Sequence, residues 1–378
     1  MHHAGAEEAP ATDSPRPAGI ADPQTSDPGT AYRRTDGLMK LTKRPAASAG
    51  FKTIAQQPAV KAGSNGSAHE SATIPGMSAP AGAIAADLRA AAVEVPTATA
   101  AAKPRARRLP RPDEDCVRGD LLKGKKALVF GVANDHSIAW GIAKALYDQG
   151  ADVGFSSMAS LIKRRVRPLA ASIGSHFVEA CDVRDDDEIR KVFEHWHARE
   201  GDLDILVHAV AYAEKEDLAG NFSSTSRDGF HTAFDISVYS LIAMAREARQ
   251  YMKPGSSIMT MTYYGAEKVV PHYNIMGVAK AALEASTRYL AADLGPSGIR
   301  VNAISAGPVR TLSAHGIAGF KLMYGGFAEV APLRSHITIE DVAGTAVYLA
   351  SPLSGQTTGE VIYVDGGFNI LGLPVADE

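Results

Sequence analysis

The chain has 378 residues, room for one large domain or two ordinary ones, and its apolar content of 45% suffices for a sizeable core. A formal net charge of -3 gives no whole-chain reason to expect nucleic acid or an anionic membrane as partner. The two cysteines, Cys116 and Cys181, lie in neither a CxxC nor a Cys/His cluster, which argues against a disulfide framework and against a metal site.

Composition changes sharply near residue 118. Residues 1–118 are rich in Ala, Pro, Gly, Ser and Thr, and their only aromatics are Tyr32 and Phe51. Such a segment cannot bury enough apolar surface to offset its ordering entropy, so it is expected to be a disordered, low-complexity extension, with room for one short helix over 84–93. Three readings of it stand side by side: a solvated tail or a start codon placed too far upstream, a flexible interaction tail, and an organelle-targeting segment. The first residues lack the basic and apolar regions of a secretory signal, and no apolar run approaches the roughly 20 residues of a membrane span. The expected location is therefore the cytoplasm, with no membrane partner.

Residues 119–378 read as one domain. Short apolar runs at 127–130, 151–155, 177–180, 205–208, 257–262, 300–305 and 361–364 have the pattern of strands. Helical patterns at 137–149, 185–199, 225–252, 271–294 and 339–350 lie between them. This alternation predicts an α/β fold, a doubly wound parallel sheet of the Rossmann-like kind, whose ligands bind beyond the C-terminal ends of the strands.

The first strand runs into Gly131-Val132-Ala133. A glycine there lets the backbone turn tightly and approach a pyrophosphate. Ser137 stands where the first helix should open and can cap free N–H groups or bind phosphate. Gly131 and Gly141 are ten positions apart, so this is not GxGxxG, and an ordinary strand–turn–helix explains it as well. The second strand ends in Ser156-Ser157-Met158, without the acid that grips an adenosine ribose. Lys163, Arg164 and Arg165 follow, either within reach of a 2′-phosphate or as a solvated helix face. After the third strand, Asp182 can accept from an adenine amino group or cap the next helix. After the fourth, the small residues Ala209, Val210 and Ala211 leave space for a flat ring system, or simply pack tightly.

The most specific signal lies at 262–280. Tyr273 and Lys280 are seven positions apart. If Pro271 opens a helix, that spacing is almost two turns and both side chains share one face. A phenol and an ammonium beside a cofactor make a proton-donating, oxyanion-stabilising pair, the cation easing formation of Tyr–O⁻. The alternative is that both merely pack and snorkel. Tyr263 leaves the preceding strand toward the same crevice. Ala306-Gly307-Pro308 then turns the chain sharply after the sixth strand, and Thr311 can bond a cofactor or cap a helix. The stretch 312–327, rich in Gly, Ala and Met, suits a mobile lid or an ordinary packed helix.

Tyr263, Tyr273 and Lys280 together resemble the active-site motif of bacterial enoyl-acyl-carrier-protein reductases. These form the divergent branch of the short-chain dehydrogenase/reductase family, with Tyr-x6-Lys and a second Tyr ten residues earlier. The commoner Tyr-x3-Lys of that family would put its Tyr at Met276, which cannot donate a proton. Gly131-Val132-Ala133 with Ser137-Ile138-Ala139 resembles the branch's phosphate loop, and Cys181-Asp182-Val183 its adenine clamp. Ile304 through Thr311 resembles the segment lining nicotinamide and pyrophosphate, and Val364-Asp365-Gly366-Gly367-Phe368 the C-terminal signature. The resemblance spans residues 120–372.

The resemblance implies Tyr263, Tyr273 and Lys280 as catalytic residues. It implies cofactor contacts from Gly131, Ala133, Ser137, Ile138, Asp182, Val183, Ala209, Val210, Ala211, Lys280, Val309 and Thr311, and substrate contacts from Ala213, Tyr263 and Tyr273. The implied activity is NADH-dependent reduction of the trans-2 double bond of an enoyl thioester on acyl carrier protein, the final reductive step of fatty acid elongation, in a homotetramer. NADPH stays open as cofactor. A carbonyl reductase acting on 3-oxoacyl substrates and a non-catalytic dinucleotide-binding sensor are the other readings. Two positions depart from the branch: Met158 stands where Gln or a basic residue is frequent, and Ala211 where many members have Gly. The long N-terminal extension has no counterpart in typical members.

Overall fold

In strand β1 (Lys126–Phe130), Ala127 and Val129 enter one apolar core while Leu128 and Phe130 enter another. Strand β4 (Leu203–His208) does the same, with Ile205 and Val207 on one side and Leu206 on the other. Because successive side chains point to opposite faces, strands apolar at every position need cover on both sides of the sheet. Helices supply it in this computed structural model, which describes residues 118–311, 314 and 320–373. The expected disordered extension with its short helix, and most of 312–319 in the expected lid, lie outside the described residues.

The remaining strands are β2 (Asp152–Ser157), β3 (Val178–Ala180), β5 (Met252–Thr262), β6 (Arg300–Ala306) and β7 (Val361–Val364). All seven pair in parallel in the order β3-β2-β1-β4-β5-β6-β7. One face is covered by α1 (Ile138–Asp148), α2 (159–172) and α8 (Ile339–Ala350), the other by α3 (Asp186–Glu200), α5 (227–248) and α6 (Asn274–Leu294). This is the expected doubly wound parallel sheet. The strand order reverses between β1 and β4, which opens a crevice beyond their C-terminal ends. A four-residue turn of helix, α4 (Lys215–Leu218), follows β4, and helix α7 (Phe320–Val330) follows β6.

Two helices differ from the sequence expectation. The stretch 225–252 is not regular α-helix throughout. Ser226 caps α5, the turn Asp235–Tyr239 is π-helical, and Met252 already belongs to β5. Pro271 does not open α6. It sits in a turn, His272 and Asn274 take positive φ values of 65° and 39°, and the helix proper begins at Asn274 with Tyr273 at its N-cap. Among the described residues, no helix is long and apolar enough to cross a membrane.

Candidate active site

Gly131 follows the last residue of β1 at a φ of 99°, and a Cβ there would lie 2.1 Å from the carbonyl oxygen of Ala209 after β4. Only glycine lets these two strand ends cross so closely, so Gly131 shapes the crevice through backbone contact with β4. Ser137 takes the extended N-cap conformation of α1, yet its hydroxyl donates to the Asn134 carbonyl at 2.5 Å instead of capping the helix. No side chain caps that helix, whose first residue, Ile138, faces the cavity described below. Ala133 lies in the same β1–α1 loop.

Asp182, just past β3, does not cap α3. That role falls to Asp185, whose carboxylate accepts from the N–H groups of Asp187 and Glu188 at 2.8 and 3.1 Å. Asp182 instead accepts from the Arg184 guanidinium, at 3.0 Å from Nε, which holds its carboxyl below the ordinary range. Val183 is buried in the core beside it.

Past β4 and β5 the crevice deepens into a cavity of about 380 Å³. Its walls include Ile138, Ala211, Ala213, Tyr263, Tyr273, Lys280, Val309 and Thr311, so eight of the residues singled out in the sequence line one space. Gly131, Ala133, Ser137, Asp182, Val183, Ala209 and Val210 do not line it. They lie on the loops that follow β1, β3 and β4, beyond the same ends of the strands. Tyr263 follows the last residue of β5, and its ring packs edge-on against Tyr273, with centroids 4.9 Å apart and planes at 75°. The turn between them is tight because of Gly265. A Cβ there would lie 2.5 Å from the Tyr273 ring and 3.3 Å from that of Tyr263. Gly277, one turn into α6, likewise admits the Gly265 carbonyl, which a Cβ would meet at 2.8 Å.

The electrostatics differ from the sequence expectation in one respect. Burial pushes the Tyr273 phenol well above its ordinary pKa, the neighbouring Tyr263 adds to the shift, and Tyr263 itself rises to about 12 by burial. The eased ionisation expected from a nearby cation is not found here, where both burial and the neighbouring Tyr263 raise the phenol. Lys280 does not snorkel. It is buried, its Nζ donates to the Met261 carbonyl at 2.7 Å, and burial brings its pKa down to about 8. Among the described residues there is no cluster of acid, Cys and His side chains fit to hold a metal.

Sequence reasoning missed several residues. Phe320 and Met323 of α7 line the cavity, and the Tyr263 hydroxyl donates to the Met323 sulfur at 3.3 Å. Lys215 and Leu218 of α4 line it too. His208 is fully buried at the end of β4, with Nδ1 2.8 Å from Thr260 Oγ1 and Nε2 2.8 Å from Ser240 Oγ. Ser240 already donates to the Ile236 carbonyl, so His208 donates through Nε2 and accepts through Nδ1. Burial, with Lys280 close by, lowers its pKa to about 3, so it is neutral at physiological pH. Methionine content hinted at the α7 wall; nothing local marked His208.

A family model described as enoyl-(acyl carrier protein) reductase matches residues 131–369. The chain belongs to that family. An enoyl-acyl-carrier-protein reductase (NADH) of Rhizobium meliloti is 50% identical over 257 residues, 68% of this chain and 94% of the relative. Its counterpart in Aquifex aeolicus is 50% identical over 254 residues, 67% of this chain and 94% of that one. Among solved structures, the Bacillus cereus enoyl-acyl carrier protein reductase with NADP+ and an indole naphthyridinone shares 50% identity at a TM-score of 0.66, covering 67% of this chain and 100% of that one. The Anaplasma phagocytophilum reductase in complex with NAD gives 46% identity and a TM-score of 0.66, covering 69% and 99%. This enoyl reductase family is thus matched across nearly the full length of its members.

Proposed function

We propose that the cavity bounded by Tyr263, Tyr273 and Lys280 is the active site of an enoyl-acyl-carrier-protein reductase. The chain is an oxidoreductase that uses NADH to reduce the double bond of enoyl thioesters on acyl carrier protein, the final step of fatty acid elongation. The observation that carries the site assignment is the convergence of those three side chains with Ala211, Val309 and Thr311 on one space.

A dinucleotide fits this edge on two counts. Helix α1 opens there with no side chain on its free N–H groups, which favours an anionic pyrophosphate. Ala211 and the buried Ala306–Val309 turn present small and apolar surface for a flat ring. When bound, the cofactor supplies a hydride to the β-carbon of the substrate. Negative charge then develops on the thioester oxygen. Tyr273 hydrogen-bonds to that oxygen, and its raised pKa keeps the phenol protonated and able to donate. Tyr263 positions the carbonyl, beside Ala213. Lys280 holds the nicotinamide ribose from its anchored place at the Met261 carbonyl. The apolar walls Ile138, Met276 and Phe320 keep water from the reacting carbons.

The finer features are of one piece with this reading. Gly131, Ala133, Ser137 and Val210 serve the phosphate and ribose, and Asp182 with Val183 the adenine. Residues 119–378 constitute the reductase domain and retain activity when 1–118 are removed. The enzyme works in the cytoplasm as a homotetramer, which light scattering tests. The deciding assay follows NADH oxidation with a crotonyl thioester and with a matched 3-oxo thioester. Turnover of the first alone supports the assignment; turnover of the 3-oxo substrate alone makes the chain a carbonyl reductase.

A further inference from the structure

Helix α6 grips the end of β5 at two consecutive residues. Lys280 donates to the carbonyl of Met261 at 2.7 Å, and Thr262 donates from its hydroxyl to Glu284 Oε1 at 2.7 Å. Lys280 and Glu284 are one helical turn apart, so they present to the strand from one face of α6. Tyr263 is the next residue along the chain.

Glu284 is 7% exposed, and its neighbours on the buried side of the helix are Leu283, Thr287 and Ala291. A carboxylate placed there is costly unless it is hydrogen-bonded, and a leucine would fill such a position without that cost. Besides favouring the charge on Lys280, the carboxylate supplies what a leucine cannot, the bond to Thr262. That bond joins the strand end bearing Tyr263 to the helix bearing Lys280 and opening at Tyr273.

We propose that Glu284 is a positioning residue of this reductase site, holding the strand end that carries Tyr263 in register with the helix face that carries Lys280 through its bond to Thr262. The proposal rests on the enoyl reductase reading above and adds a residue outside the cavity wall. A small error in placing a substrate-orienting group is expensive in rate, so the bond acts on turnover more than on cofactor affinity.

Three single variants and one double variant test it by steady-state kinetics and NADH titration. Glu284→Gln keeps an oxygen acceptor for Thr262 and is expected to retain kcat within about twofold. Glu284→Leu and Thr262→Val each remove the bond and are expected to lower kcat about tenfold or more, with the NADH Kd unchanged in Thr262→Val, which leaves the Glu284 carboxylate beside Lys280 in place. The double variant is expected to be no worse than either single one, because all three lack the same bond. Should Glu284→Leu not fold, Thr262→Val, which exchanges a hydroxyl for a methyl, carries the comparison with Glu284→Gln. Wild-type kcat in Thr262→Val, or losses that add in the double variant, overturns the proposal while leaving the activity assignment standing. A wild-type chain inactive on crotonyl thioesters removes that assignment and the proposal together.

Discussion

The Tyr263 hydroxyl donates to the Met323 sulfur at 3.3 Å, so the side chain assigned to the substrate carbonyl is engaged by helix α7. A thioether is a weak acceptor. A thioester oxygen that becomes negative takes the hydroxyl from it readily, and the methionine then remains as apolar wall. Met323→Ala is therefore expected to change kcat on crotonyl substrate by less than about threefold. It should raise KM for an eight-carbon enoyl thioester about tenfold, since burying one apolar side chain contributes about 1.5–3 kcal/mol. Comparing KM across chain lengths checks this; an unchanged KM for the longer substrate removes Met323 from the acyl wall.

Tyr273→Phe deletes one hydroxyl from a buried position that already packs edge-on against Tyr263. The ring stays, so packing and melting temperature should be nearly unchanged. Loss of one oxyanion donor typically lowers kcat on the order of 100-fold. Wild-type turnover in the folded variant would falsify the assigned role.

The sheet and the Tyr/Lys pair were legible in the sequence for the same reason: both are written in short stretches of chain. Strands β1 and β4 are apolar runs, and the buried second half of β5 is where the sequence placed it, although the strand itself starts earlier, at Met252. Helix α8 matches its expected span, and in the structure a capping box of Thr338 and Asp341 fixes its start. The departures have physical causes. Nothing in the residues Asp235–Tyr239 announces a π turn, and the positive φ values at His272 and Asn274 postpone the start of α6 by three residues beyond Pro271. The Met323 contact, the Met261 anchor of Lys280, the Thr262–Glu284 bond and the His208 network join segments distant in sequence. Those pairings exist only once β4, β5, α6 and α7 have packed.

Lys280 gives the site a pH dependence. Its pKa is brought down by burial to about 8, so it loses its charge as pH rises through that value, while the buried phenols stay protonated. The groups acting on Lys280 are Glu284 on its own helix, which favours the charge, and the Met261 carbonyl; His208 on β4 stays neutral. The kcat/KM for NADH should therefore fall above pH about 8. Stability moves the other way. A lysine with a lowered folded-state pKa costs stability fully below pH 8, and the cost is relieved as pH rises toward the ordinary value of 10.5. Relative to Lys280→Met, the wild type should gain on the order of 3 kcal/mol between pH 7 and pH 10.5. Parallel denaturation curves of the two proteins at both pH values measure it, and equal differences at both would show that Lys280 titrates normally.

Cofactor choice turns on the loop after β2, where the proposed site puts the adenosine ribose. Ser157 is turned inward, donating to the Val132 carbonyl at 3.0 Å, and Met158 is 49% exposed at the tip. Neither offers a charge to a 2′-phosphate. Lys163, Arg164 and Arg165 lie on the exposed π turn of α2, a few residues further along. A dedicated NADP site needs a cation fixed at the loop itself, preferably an arginine that can grip phosphate with two bonds. NADH should therefore be preferred over NADPH, as the names of the Rhizobium and Aquifex relatives indicate for those enzymes. The absence of an acid, however, leaves no repulsion against the phosphate, so NADPH should be used slowly instead of being refused. Met158→Arg places a fork-shaped cation at the loop and should raise kcat/KM for NADPH about tenfold, worth about 1.4 kcal/mol, with little change for NADH. A tenfold preference of the wild type for NADPH overturns the choice and points to the Lys163–Arg165 cluster as the phosphate site.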